Sequence, residues 1–242
     1  RSAGILRKLA ALTGIGVLNT FMAKGALPSD SEQSLYTIGL GSKDIGTYAG
    51  DAADLVICIG FDMVEYHPSL WNATGEKKII HIDFTPAEID SDYHPELELV
   101  GDVADTLEAL VLELKKTSEF AFDLSQQALT RKEMAAELDL YRNDVTRGLI
   151  KPQKALADVQ QVYGKYGLLL SDVGAHKMWI ARHYHCDIPN GCLIPNGFCS
   201  MGFALPGAIA ASLVEPGRKI IGIAGDAGFL MNVQEMETAT RL

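Results

Sequence analysis

The sequence predicts an α/β protein with two parallel-sheet βαβ domains, the second of them incomplete. Short apolar runs rich in β-branched residues alternate with segments of helical periodicity, which is typical of a parallel sheet covered by helices on both faces. The chain has 242 residues and an apolar fraction of 48%, enough for one large core or two ordinary ones. Helical spacing continues to Leu242 without a Gly or Pro stop signal, so we expect the second domain to continue beyond it.

The first domain is predicted to comprise residues 1–118. Three strands are expected where β-branched apolar runs occur, at 14–20, 54–60 and 77–83. Four helices are expected where the apolar period is helical, at 3–13, 44–52, 86–91 and 103–116. Asp102 is the expected N-cap of the last helix. Because the pattern opens on a helix, we expect this domain to lack its first strand.

Residues 119–150 are predicted to connect the two domains. They carry the densest run of charged and polar residues and no strand pattern, so one or two exposed helices are expected. The second domain, 151–242, is expected to open on a helix that starts at Pro152. Its strands are expected at 167–174 and 218–226, with a glycine-rich loop and a small-residue helix, 208–214, between them.

Composition argues against several kinds of partner. Acidic residues outnumber basic ones 31 to 21, and the net charge of −10 repels nucleic acid and anionic membranes, which favours a small-molecule substrate. No apolar run reaches the roughly 18 to 20 residues of a membrane span, and no signal-peptide core is seen. The cysteines form no CxxC pair, so we expect reduced thiols in a cytoplasmic protein.

Two loops rich in Gly and Asp follow strands of the second domain, SDVGAH (171–176) and GDAGF (225–229). Ligands of parallel sheets bind at the carboxyl ends of the strands, so we expect these loops to face one pocket. Asp226 lies among backbone donors at a helix start, where a carboxylate suits Mg²⁺ beside a bound diphosphate. The alternative is that Asp226 only caps the helix.

Longer motifs add a family resemblance. SDVGAHKMW, NGFCSMGFALPGAIAA and GDAGFLMN occur in the order found in the cofactor domain of thiamine diphosphate-dependent enzymes, which the second domain resembles. In the first half, TGIGVLNTFMAKGALP, ADLVICIGFDMVEYHPSLWN and KKIIHIDFTPAEIDSDYHPELELVGD resemble the central domain of the acetolactate synthase branch. The likeness is greatest to the catabolic, FAD-independent members and covers nearly all of the chain.

The resemblance implies a cofactor site for thiamine diphosphate and Mg²⁺. Two backbone loops match those that bind the diphosphate, formed by Gly174, Ala175 and His176 and by Gly225, Ala227 and Gly228. Asp226 matches a Mg²⁺ ligand. Cys199 matches the residue whose main-chain carbonyl bonds the cofactor's 4′-amino group. Met201 matches an apolar side chain that keeps the cofactor bent, with its 4′-amino group near the reactive carbon.

The resemblance also places parts of the site outside this sequence. The family's Gly-Asp motif closes with an Asn that lies beyond Leu242. The glutamate that activates the cofactor belongs to an N-terminal domain and acts across a subunit interface, so no catalytic residue is expected in this segment. We expect the segment alone to be inactive and to bind the cofactor weakly, and the full-length protein to be a homodimer or homotetramer.

The function implied is acetolactate synthesis, in a branched-chain amino acid or acetoin pathway. Pyruvate is decarboxylated on thiamine diphosphate, and the two-carbon unit is added to a second 2-oxo acid. FAD is not expected, because GFDMVEYHP (60–68) replaces the Arg-Phe-Asp-Asp-Arg-like segment of FAD-dependent relatives. Another 2-oxo acid decarboxylase or an acetyltransferase is an alternative, and so is a non-catalytic nucleotide-binding or regulatory fragment.

Other interpretations are disfavoured. GLGSKDIG (39–46) places its third glycine too late for the GxGxxG fingerprint of a nicotinamide-binding dehydrogenase. His183 and His185, beside Cys186, are two residues apart and do not share a helix face, which argues against a zinc site. His176 is alternatively an ordinary surface histidine. Met178 and Trp179 are interpreted as core residues.

Overall fold

The computed structural model describes residues 1–40, 44–117, 119–145 and 148–242. Within these ranges the chain divides into two compact units, the first formed by 1–18 and 31–134 and the second by 19–30 and 135–242. Residues 19–30 therefore group with the C-terminal half of the chain. The expected domain end at 118 and three residues of the 39–46 segment lie outside the described residues.

The N-terminal half contains both helices and strands. In chain order these are α1 (Ser2–Thr13), β1 (Val17–Asn19), β2 (Ser34–Thr37), α2 (Ile45–Ala52), β3 (Leu55–Ile59), β4 (Lys78–Asp83), β5 (Leu97–Val100) and α3 (Val103–Leu114). A 3₁₀ helix, Pro68–Leu70, lies between β3 and β4. The helix α4 (Ser125–Arg142) follows, and its buried residues Thr130, Met134 and Leu138 recur every four positions along one face.

The sheet of the first unit contains three parallel strands in the order β3-β4-β5. Its central strand is buried, with Ile82 fully inaccessible and packed in one cluster with Leu107 of α3 and Leu9 of α1. The expected N-cap of α3 is confirmed, because the Asp102 carboxylate accepts the Asp105 N–H at 2.9 Å. A parallel α/β fold is therefore confirmed for this unit.

Some local predictions for this unit are wrong. The first expected strand is shorter than 14–20, because Gly14 adopts a left-handed conformation (φ 74°) and ends α1. The helix expected at 86–91 does not form. There the Ala87 N–H donates to Glu98 at 2.8 Å, and the Asp90 carboxylate accepts the Asp92 N–H at 3.1 Å. Side-chain acceptors thus satisfy backbone donors that a helix would use. The Asp92 N–H also lowers the pKa of Asp90.

The C-terminal half also contains both helices and strands. Its elements are α5 (Pro152–Tyr163), β6 (Leu168–Ser171), α6 (Ala175–His183), β7 (Cys192–Leu193), α7 (Ala204–Val214), β8 (Ile220–Ile223), α8 (Asp226–Met231) and α9 (Glu235–Arg241). The strands are parallel in the order β7-β6-β8, and all of β6 is buried. The fold class predicted from the sequence is confirmed for both units. Across the described ranges, no helix is both long and apolar enough to span a membrane.

Candidate functional site

The two predicted site loops leave the sheet of the second unit side by side. They follow β6 and β8, which are parallel neighbours, and the last residues of these strands, Ser171 and Ile223, are paired. Both loops lead directly into a helix, α6 after one and α8 after the other. Neither helix has a side-chain cap, since the N-cap residues are Gly174 and Gly225. Two helix N-termini with uncapped N–H groups therefore lie at one edge of the sheet.

His176 lies between these loops. A Cβ atom added to Gly174 would lie 2.9 Å from its Cε1 atom, and one added to Gly225 would lie 3.6 Å from it. The Nε2 atom of His176 is buried and has no hydrogen-bond partner among the described residues. The residue is half-buried rather than an ordinary surface histidine. An unpartnered buried nitrogen beside two sets of backbone N–H groups fits a polar ligand bound at this edge.

Asp226 is the first residue of α8 and not its cap, because Gly225 occupies the N-cap position. Its side chain makes no cap hydrogen bond, so the capping alternative does not describe the structure. The residue is exposed at the N-terminus of the helix, next to Ala227. A negative charge is favourable there, and a carboxylate oxygen is a ligand that Mg²⁺ prefers. The residues present thus suit a metal ion and a phosphate group together.

Asp172 organises the same edge and was not predicted from the sequence. It is fully buried, and its Oδ1 atom accepts the Val173 and Gly202 N–H groups at 2.7 and 2.8 Å. Its Oδ2 atom accepts the Ala204 N–H at 2.9 Å. A Cβ atom on Gly228 would lie 2.9 Å from Asp172 Oδ1. Gly228 is therefore required by close packing as well as by any contact with a ligand.

The loop of the NGFCSMGFALPGAIAA motif contacts the other two motifs through its main chain at Gly202. Cys199 is half-buried with φ 47°, and Met201 is 42% exposed. Their loop is held at Gly202 from two sides, because the Asn232 side chain donates to the Gly202 carbonyl at 2.8 Å while Asp172 accepts its N–H. Asn232 is a second contributor that the sequence did not identify. The structure thus brings all the predicted site residues to neighbouring loops of one unit.

One interpretation of the neighbouring residues is wrong. Trp179 is 37% exposed and is not a core residue, because the buried face of α6 is formed by Lys177, Ile180 and Ala181.

His183 is the last residue of α6. Burial, and then the nearby cations, lower the pKa of His183 to about 4. Among the described residues, one group of three possible ligands lies within 4.8 Å, and it consists of His67, Asp90 and Asp92 of the first unit.

The corresponding edge of the first unit has a different character. A cavity of about 260 Å³ opens at the ends of β3 and β4, and Asp62, Asp83 and Glu88 are among its lining residues. No Lys or Arg occurs among the described lining residues. In the cavity lining, His81 Nδ1 accepts from Tyr93 Oη at 2.9 Å, and its Nε2 donates to the Thr85 carbonyl at 3.1 Å. Burial raises the pKa of Tyr93.

Comparison with known proteins covers most of the chain. Residues 2–110 match the thiamine pyrophosphate enzyme central domain, and residues 172–242 match the thiamine pyrophosphate enzyme C-terminal TPP binding domain. The chain is 35% identical over 239 residues to the acetolactate synthase of Bacillus subtilis, covering 98% of the chain and 42% of that protein. It is 36% identical over 205 residues to the catabolic acetolactate synthase of Raoultella terrigena, covering 85% of the chain and 36% of that protein. The chain therefore spans about two fifths of the length of these curated relatives.

Proposed function

The chain belongs to the thiamine pyrophosphate (thiamine diphosphate) enzymes, and on that premise we propose that this protein is an acetolactate synthase-type carboligase. We propose pyruvate as its donor substrate and a second 2-oxo acid as its acceptor. The observation that carries the proposal is the meeting of three loops, around Gly174, Cys199 and Asp226, at one edge of the β7-β6-β8 sheet. The named relatives support the choice of reaction.

The diphosphate would lie across the N-termini of α6 and α8. Backbone N–H groups at Ala175 and His176 on one side, and at Ala227 and Gly228 on the other, would donate to its oxygens. Asp226 would bind Mg²⁺, which neutralises the phosphate charge in a protein of net charge −10. The buried His176 Nε2 is placed to contribute a further polar contact.

Thiamine diphosphate, when bound, supplies the carbanion centre on which decarboxylation and carboligation depend. The residues of this chain bind and orient it. The Cys199 carbonyl would accept a hydrogen bond from the 4′-amino group, and the exposed Met201 side chain would support the bent conformation of the two rings. Asp172 and Asn232 stabilise the loop that carries both residues.

We propose that the protein uses no flavin. The cavity of the first unit is lined by Asp62, Asp83 and Glu88 and, among the described lining residues, by no cation. Such a surface repels the phosphates of a dinucleotide. The purified protein should therefore show no visible flavin band. A flavin spectrum that persists after gel filtration would contradict this part of the proposal.

We propose a cytoplasmic homodimer or homotetramer as the working form. Large apolar side chains are exposed in the unit that carries the proposed site, among them Phe198 at 103%, Leu230 at 67% and Met236 at 51%. Apolar surface of this kind is typical of a region covered by a partner. The four cysteines are free thiols, which supports a reducing compartment. Sedimentation of the purified protein tests the oligomeric state.

Titration calorimetry with thiamine diphosphate tests the cofactor proposal directly. Binding is expected with Mg²⁺ present and should weaken when the metal is removed by a chelator. The 242 residues alone are expected to show no turnover, so a pyruvate assay on the full-length protein tests the reaction, with acetolactate as the expected product. A 2-oxo acid decarboxylase would instead release acetaldehyde from pyruvate. Absence of cofactor binding at saturating Mg²⁺ would contradict the proposed function of this chain.

A further inference from the structure

The helix α6 turns a lysine toward the interior of the second unit. Lys177 is 8% exposed and shares the buried face of the helix with Ile180 and Ala181. It directly follows His176 of the proposed diphosphate loop. A buried ammonium group must be hydrogen-bonded, because its desolvation is otherwise costly. The identity of its partners therefore indicates what the lysine does.

Among the described residues, the hydrogen-bond partners of the Lys177 ammonium group all belong to the loop 195–199. Lys177 Nζ donates to the Pro195 carbonyl at 3.1 Å and to Asn196 Oδ1 at 2.9 Å, and Cys199 Sγ lies 3.4 Å away. The ammonium also lies 4.7 Å from the ring centroid of Phe21, a cation–π contact within the same unit. In the described part of the chain no carboxylate forms an ion pair with it. The charge therefore binds the loop and does not neutralise an acid.

The loop has a conformation that needs such support. Cys199 has φ 47°, a left-handed conformation that is uncommon for residues other than glycine. Gly197 and Gly202, on either side, also have positive φ values of 74° and 85°. Glycines restrict the backbone little, so the loop has weak conformational preferences of its own. Lys177 joins its beginning, at Pro195, to the strained residue Cys199.

We propose that Lys177 is a positioning residue for the aminopyrimidine half of the cofactor. It fixes the loop 195–199 so that the Cys199 carbonyl can accept the 4′-amino group, while the N-termini of α6 and α8 bind the diphosphate half. The inference rests on the proposed function, because it takes Cys199 as the residue that bonds this amino group. The side chain of Lys177 donates no hydrogen bond to 225–228, so its role is confined to one half of the site.

Two probes separate the two halves of the site in the 242-residue chain. One is thiamine diphosphate with Mg²⁺, and the other is inorganic diphosphate with Mg²⁺, each titrated by calorimetry. Lys177→Met should weaken thiamine diphosphate binding about tenfold or more, since it removes a charged hydrogen-bond donor. The affinity for inorganic diphosphate should not change. Lys177→Arg, which keeps a cationic donor, should restore most of the lost affinity.

Lys219→Met is the matched control. Lys219 is exposed and donates to the Val162 carbonyl at 3.0 Å, away from the loop, so this variant removes the same charge without touching 195–199. It should leave both affinities unchanged. If Lys177→Met weakens both probes equally, or weakens neither, the positioning role is wrong. If Lys177→Met does not fold, Lys177→Gln takes its place, and the same split between the two probes decides.

Amide hydrogen exchange provides a readout that needs no cofactor. Lys177→Met should speed exchange over 195–202 and leave β6 and β8 unchanged. Unaltered exchange in the loop would overturn the inference, whether or not the cofactor binds. If the wild-type chain binds neither probe, the proposed cofactor role fails, and faster loop exchange in the variant would leave only a structural role for Lys177. The two failures are thereby distinguished.

Discussion

The two units have sheets of the same kind, but the residues at the carboxyl ends of their strands differ in charge. Each sheet has three parallel strands, in the orders β3-β4-β5 and β7-β6-β8. In the first unit the edge presents Asp62, Asp83 and Glu88 around an open cavity. In the second it presents glycines and two uncapped helix N-termini. Which ligand a parallel sheet can bind is thus decided by the few residues after each strand, and a shared architecture does not imply a shared ligand.

The histidines at the two edges also differ in their hydrogen bonding. In the first unit His81 has partners at both ring nitrogens, Tyr93 and the Thr85 carbonyl. In the second unit His176 Nε2 is buried without a partner among the described residues. A hydrogen-bond network that is complete stabilises the fold by itself, whereas an incomplete one fits a bound ligand. Matched substitutions in the two units test this difference between the edges.

The largest effect is expected from Asp172→Ala. It leaves the N–H groups of Val173, Gly202 and Ala204 without their buried acceptor, which should lower the free energy of unfolding by about 3 kcal/mol or more. Asp83→Ala is the counterpart at the end of β4. That carboxylate is half-buried and accepts from exposed N–H groups, so the loss should stay below about 1 kcal/mol. Urea unfolding of both variants measures the difference, and equal losses would contradict the contrast.

The next effect concerns ligand binding and not stability. Asp226→Asn removes the proposed metal ligand, so the Mg²⁺-dependent affinity for thiamine diphosphate should fall by about tenfold or more. Asp62→Asn makes the same change at an exposed residue of the first unit and should leave that affinity unaltered. Calorimetric titrations at fixed Mg²⁺ compare the two. A comparable loss in Asp62→Asn would show that general charge, rather than the edge of the second unit, governs binding.

A smaller effect is expected from pH. Burial, followed by the cations of Arg182 and Lys24, lowers the pKa of His183 from 6.5 to about 4. Because the folded pKa lies below the unfolded one, the stabilisation is present above pH 6.5 and is lost as the pH falls toward 4. The unfolding temperature should therefore decline over this range and decline less in His183→Phe. The same slope in His183→Phe as in the wild type would contradict this prediction.

The smallest effect is expected from Tyr93→Phe in the first unit. The substitution leaves His81 Nδ1 buried without a donor, and should lower the free energy of unfolding by about 1 kcal/mol. Thiamine diphosphate affinity should not change, because the His81–Tyr93 pair belongs to the other sheet. Thermal unfolding and calorimetry on one preparation measure both quantities. A loss of cofactor affinity without a loss of stability would contradict the separation of the two edges.

Much of the fold could be predicted because its signals are local. The strands β3, β4 and β8 coincide with β-branched apolar runs, β6 coincides with a run of leucines, and α3 begins where Asp102 provides an N-cap. The short strands β5 and β7 were not predicted, since runs of four and two residues carry no clear period. The helix expected at 86–91 failed because Glu98, a residue of a separate strand, bonds the backbone there. Contacts between distant residues overrode the local pattern.

In the candidate site, too, some residues follow from local sequence motifs and others from contacts between distant residues. Contiguous motifs were enough to predict Gly174, Cys199, Met201 and Asp226, and the order of the motifs placed the chain in its family. Local patterns and motif order were thus enough to predict the fold class, the strand ends of the candidate site and the class of cofactor to expect.

The groups that support the candidate site depend on contacts that form on folding. Asp172, Lys177 and Asn232 act on residues 18 to 32 positions away in the chain, at Pro195, Gly202 and Ala204. No sequence period distinguishes a buried carboxylate or ammonium group from an exposed one. Trp179, rather than Lys177, has the apolar side chain expected of a core residue. A buried charge becomes tolerable only where folding brings it the hydrogen-bond partners that replace water, and those partners are defined by the fold alone.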